Sequence, residues 1–154
     1  MSQQTSDLVI RKSVTVSVPV ERAFHVFTEE IATWWPLRTH AVDTERSDTV
    51  VMEGRVGGRL FERTPEGEEH LWGTIVTWDP PRRVTYSWHP GRGEETAQEV
   101  EVTFTPEGGG TRVDVAHYGW EKLEGRIEET MANYHEGWDK VIGRYAEAAN
   151  GEGS

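Results

Sequence analysis

Between about Gly125 and Ala149, the apolar side chains Ile127, Met131, Tyr134, Trp138, Val141 and Tyr145 recur in steps of four, three, four, three and four. That spacing puts all of them on one stripe of a helix roughly six turns long. Glu128, Glu129, Glu136, Lys140, Arg144 and Glu147 fall off the stripe. At 1.5 Å per residue the helix reaches about 35 Å, enough to span a whole sheet.

The residues before it read as strands. Val14, Val16 and Val18 alternate with Ser13, Thr15 and Ser17, the period of a strand with one buried face. Pro19 stops that strand and can open a helix, and Ala23, Phe24, Phe27 and Ile31 then recur at helical spacing. Pro36 disfavours helical geometry at Trp35, so Trp34-Trp35-Pro36 ends the short helix. Short strands follow at Thr49 to Glu53, Arg59 to Arg63 and His70 to Trp78, divided by Gly54, Gly57-Gly58 and Pro65-Glu66-Gly67. Three more alternate cleanly: Val84, Tyr86 and Trp88; Val100, Val102 and Phe104; Val113, Val115 and His117. A loop at Pro90 to Gly93 and a hairpin tip at Gly108 to Gly110 separate them. Consecutive strands with short turns make an antiparallel meander. No repeat or linker divides the chain, so residues 8–149 read as one α+β domain, with 1–7 and 150–154 as loose termini.

Composition narrows the partners. There is no cysteine among the 154 residues, which removes disulfides, thiolate metal sites and cysteine nucleophiles together and suits a reducing cytoplasm. A net charge of −11 is the wrong sign for nucleic acid or an anionic membrane. No stretch has the roughly 18 apolar residues of a membrane span, so no membrane insertion is expected. Met1 to Asp7 is polar and lacks an apolar signal core. Seven tryptophans concentrate the apolar surface in large rings, which pack cores and line pockets.

Four stretches carry a resemblance in their order and spacing: Val18-Pro19-Val20-Glu21-Arg22-Ala23-Phe24; Trp34-Trp35-Pro36; Gly73 through Val84 with Trp88 beyond; and His135-Glu136-Gly137-Trp138. Together they resemble the heat-shock ATPase-activator homology family of the START-like superfamily, which also holds the birch-pollen allergen, polyketide cyclases and lipid-transfer domains. The resemblance implies a helix-grip fold. In it a curved antiparallel sheet of about six or seven strands wraps the long C-terminal helix, with one or two short helices after the first strand. The activators that name the family carry a further N-terminal domain that takes part in stimulating the chaperone. A first strand near Leu8 leaves no room for one, so a chaperone partner is not expected here.

In a helix-grip fold, ligands sit between helix and sheet. Parity then selects Tyr86, Trp88, Phe104 and His117 from the strands, and Met131, Tyr134 and Trp138 from the helix. Trp35, Phe61 and Trp72 close the sides. The expected partner is a small hydrophobic or aromatic molecule, a lipid or metabolite. Tyr86, Tyr134 and Trp88 offer donors, and His117 is either an acid or base near neutral pH or a satisfied structural histidine. No catalytic residue is assigned. No Gly-x-Ser-x-Gly motif is present, and the glycines at 54, 57 and 58 lack the lysine and helix of a phosphate loop. The six histidines are scattered without the helical His-x-x-x-His pairing, so no metal and no cofactor are expected. A cavity enzyme of cyclase, dehydratase or hydrolase type, and a protein-partner regulator, stand as alternatives. A homodimer through Trp34, Trp35 or a sheet edge is open.

Overall fold

Strand β1 (Val9–Val16) buries Ile10 and Val16 and leaves Arg11, Ser13 and Thr15 exposed, as its alternation requires. The computed structural model describes residues 9–90, 97–120 and 127–152. After β1 come helix α1 (Val20–Thr28) and a single 3-10 turn at Ile31–Thr33. Strands β2 (Thr49–Met52), β3 (Arg59–Arg63), β4 (Glu69–Asp79), β5 (Arg83–Trp88), β6 (Gln98–Glu107) and β7 (Gly110–Tyr118) follow, and then helix α2 (Ile127–Glu152). The sheet has seven strands in the order β1-β7-β6-β5-β4-β3-β2, every neighbouring pair antiparallel. The meander thus runs from β2 to β7. The chain's first strand closes the far edge, with Val9 opposite Tyr118 and Val16 opposite Thr111. This is the helix-grip architecture.

The sheet curves because β4 is bulged twice. Leu60 faces Gly73 while Phe61 faces Leu71, which leaves Trp72 as an extra residue. Further along, Ile75 faces Tyr86 and Thr77 faces Thr85, which leaves Val76 unpaired. Each bulge bends its strand and raises its twist. Gly73 sits at the tightest point: a Cβ there would lie 1.7 Å from the Ser87 carbonyl oxygen. The Ser87 hydroxyl instead accepts a 2.9 Å hydrogen bond from the Thr74 amide.

Helix α2 is held unevenly along its length. In its C-terminal half Trp138, Val141, Ile142, Tyr145 and Ala149 are buried. The Tyr145 hydroxyl donates to the Ala23 carbonyl at 2.8 Å, and Arg144 Nε donates to the Trp34 carbonyl at 3.1 Å. In its N-terminal half Ile127, Met131 and Tyr134 are only partly buried. Lys12 of β1 reaches across to Asp139 at 2.8 Å. The helix also passes its expected end at Ala149. Asn150 Oδ1 accepts from the Ser17 amide at 2.8 Å and the Ser17 hydroxyl at 3.0 Å, so Asn150 is docked on the end of β1 rather than loose. The expected start near Gly125 lies outside the described residues.

Candidate ligand cavity

Beneath the partly buried N-terminal half of α2, a cavity of about 350 Å³ remains. That is at the small end of the roughly 300–1,000 Å³ of ligand pockets. Its walls carry four indoles: Trp35 from the turn after α1, Trp72 from the first β4 bulge, Trp88 from the end of β5 and Trp138 from α2. Trp35 lies 4.9 Å from Trp72 and 6.0 Å from Trp88 between ring centroids, and Trp72 lies 5.5 Å from Trp88. Tyr134 adds a fifth ring, 6.3 Å from Trp88.

All four indole N–H groups are spent inside the protein. Trp35 donates to the His40 carbonyl at 2.6 Å, Trp72 to Glu62 at 2.5 Å, Trp88 to the Tyr134 hydroxyl at 3.1 Å and Trp138 to His117 Nδ1 at 2.9 Å. The indoles are therefore fixed in orientation and turn only carbon faces and edges toward the cavity.

The rest of the wall is Pro90, Gly137, Val141 and the segment Thr39 to Val42, none of which the sequence singled out for the site. That segment is pinned by Glu62, a fully buried carboxylate on β3. Glu62 accepts from the amides of Val42 (2.7 Å) and Asp43 (2.8 Å), the Ser47 hydroxyl (2.6 Å) and Trp72 Nε1. Arg38 adds hydrogen bonds to the carbonyls of Glu45 and Ser47. A carboxylate in register with Leu60 on an apolar strand face is the signal that would have found this anchor.

His40 is the titratable imidazole in the cavity wall. Its Nδ1 is 2.7 Å from the Thr39 hydroxyl. Its Nε2 edge faces α2 at Gly137, where a Cβ would come within 3.4 Å of Nε2. A glycine inside a helix costs roughly 0.5–1 kcal/mol against alanine, so the bare backbone at Gly137 carries a real penalty. Burial first, and the positive charge of Lys140 second, hold the His40 pKa below the usual imidazole value.

Of the ten candidate residues, the structure brings Trp35, Trp72, Trp88, Tyr134 and Trp138 together at the cavity. Tyr86 and Phe104 lie in the core; burial raises the Tyr86 pKa, and Phe104 packs on Phe24 and Phe27 of α1. Met131 leans on the core without lining the cavity. Phe61 is on the other face of β3, beneath the guanidinium groups of Arg59 and Arg63 at 4.4 and 5.2 Å from its ring centre. The inward places on that strand belong to Leu60 and Glu62.

His117 has inward parity but lies too deep to meet a ligand. An indole N–H only donates, so its bond from Trp138 requires an unprotonated Nδ1. The proton then sits on Nε2, 3.3 Å from Gln98 Oε1. Burial pushes the pKa of this ring down to about 3. His117 is thus a neutral structural group, the second of the two roles open to it in the sequence. Its folded pKa is below the unfolded value of about 6.5, so its contribution is complete above pH 6.5 and is lost as the pH falls toward 3. Denaturant unfolding at stepped pH is expected to show an acid slope that is shallower in His117→Gln, by up to about 1.4 kcal/mol per pH unit. An unchanged slope would contradict the buried neutral ring.

Asp43, Glu68 and His70 bring potential ligand atoms within 4.8 Å of one another, a grouping the scattered histidines did not announce. Arg46 already meets both carboxylates there, with Nε 2.9 Å from Asp43 and a second nitrogen on Glu68. Among the described residues, no helix is long and apolar enough to cross a membrane.

The sequence profile described as "Activator of Hsp90 ATPase homolog 1-like protein" matches residues 17–149, and the chain belongs to that family. Protein NE0264 of Nitrosomonas europaea shares the fold, with a TM-score of 0.69 at 19% identity over 96% of this chain and 97% of its own. The Aha1 dimer of Colwellia psychrerythraea gives 0.67 at 15% identity over 92% and 96%. The anthrahydroquino-γ-pyrone synthase Txn09 is 32% identical, with a TM-score of 0.60 over 90% of this chain and 95% of its own. No curated protein matches the chain significantly.

Proposed function

We propose that the chain binds a small, flat aromatic molecule in the cavity under the N-terminal half of α2. The observation that carries this reading is the set of four indoles whose N–H groups are all internally bonded. A wall of fixed π faces and edges favours a flat ring, at about 0.5–1.5 kcal/mol per aromatic pair beyond the buried area. Fixing those rings in advance also lowers the ordering cost of binding. The test uses ¹⁵N-labelled protein titrated with naphthalene. The indole N–H signals of Trp35, Trp72, Trp88 and Trp138 are expected to move, while those of Trp78 and Trp120, outside the cavity, hold still. Uniform shifts, or none, would contradict the reading.

A second reading, ring-closing catalysis on such a ligand, is favoured by the 32% identity with the γ-pyrone synthase. Its acid and base would be His40 and Tyr134, which line the cavity, rather than His117 or Tyr86. It predicts that an anthrahydroquinone carrying a 1,3-diketone side chain closes its phenol oxygen onto the far carbonyl and loses one water. Recovery of unchanged diketone would count against it. The dimer of the Colwellia relative supports testing this chain for self-association by sedimentation.

A further inference from the structure

The four indoles of the cavity have no donor left, so discrimination among flat molecules falls on the polar groups of the wall. His40 stands out among these. Its backbone is fixed on both sides, because its amide donates to the Pro36 carbonyl at 2.8 Å and its carbonyl accepts from Trp35 Nε1 at 2.6 Å. Its ring is oriented by the Thr39 hydroxyl on Nδ1 at 2.7 Å. Nε2 makes no hydrogen bond to any described residue, and Gly137 leaves that edge uncovered by a helix side chain.

Resting on the aromatic-ligand reading, the geometry points to His40 as the specificity residue of the cavity: its Nε2 takes the hydroxyl of a phenolic ligand whose ring lies among the indoles. The class follows from the Thr39–His40 pair. If Thr39 donates to Nδ1, then Nε2 carries the proton and donates; if Nδ1–H donates to Thr39, then Nε2 accepts. A hydroxyl satisfies Nε2 in both cases, since it donates and accepts equally well. A plain hydrocarbon leaves Nε2 unsatisfied when it fills the space and displaces water. Lys140, one helical turn beyond Gly137, puts positive charge on the same side, which suits an electron-rich phenol oxygen.

The test compares 2-naphthol with naphthalene, two rings of the same shape, by titration followed at the indole N–H signals. Wild type is expected to bind 2-naphthol about five- to tenfold more tightly, the worth of one hydrogen bond. His40→Phe should bring the two affinities together. His40→Gln, which restores a donor and an acceptor, should recover part of the preference and covers the case in which the phenylalanine variant folds poorly. Equal affinities in wild type, or a preference that survives in His40→Phe, would overturn the assignment to His40 and leave the aromatic cavity standing. If neither probe moves the four cavity indoles, both the assignment and the reading beneath it fail.

Discussion

Replacing Glu62 with alanine is expected to lower stability by about 3–5 kcal/mol, because it takes the acceptor from four donors, of which the Ser47 hydroxyl and the Trp72 indole are buried. Two of those donors are the backbone amides of Val42 and Asp43, which have no side chain to rotate toward water. The third is the Ser47 hydroxyl and the fourth the Trp72 indole. Glu62→Gln keeps one acceptor oxygen but turns an amide NH₂ toward other donors, so a smaller loss of about 2 kcal/mol is expected. Urea unfolding followed by circular dichroism reads both numbers. The cavity should suffer with the fold, since the same carboxylate holds its Thr39–Val42 wall and aims Trp72. An alanine variant within about 1 kcal/mol of wild type would show that water replaces the carboxylate at little cost.

Gly73→Ala is expected to cost about 3 kcal/mol or more, from overpacking at a point where nothing yields easily. The added Cβ would meet the Ser87 carbonyl oxygen at 1.7 Å and its carbon at 2.6 Å, both of them backbone. To make room β4 and β5 must separate, which breaks the bond from the Thr74 amide to Ser87 Oγ and the 2.7 Å bond from the His89 amide to the Trp72 carbonyl. The bulge that points Trp72 at the cavity would go with them. A thermal unfolding midpoint within a few degrees of wild type would contradict this account of the curvature.

These two positions also mark where the sequence was legible and where it was not. The α2 stripe, the meander and the element order could be read because periodicity records which face of an element is buried. Trp35, Trp72, Trp88, Tyr134 and Trp138 could be selected because large rings on those faces have to meet under the helix. The misplacement of Phe61 has a physical cause. An aromatic ring is the cheaper group to bury, so a phenylalanine beside a glutamate is assigned inward. Here donors from a distant loop satisfy Glu62 and invert the choice, while Arg59 and Arg63 cover Phe61 outside. His40 was missed because the segment from Leu37 to Asp48 has no periodicity and owes its position to Glu62 and Arg38. The depth of His117 was missed because parity gives a direction and no distance.

The proposed ligand is a flat aromatic ring in the space between the four indoles. A crystal structure of the protein grown with naphthalene tests it most directly. Ring density is expected beneath the N-terminal half of α2, enclosed by Trp35, Trp72, Trp88 and Trp138, with their indole hydrogen bonds intact. Indoles collapsed inward onto one another, with no ring between them, would contradict it.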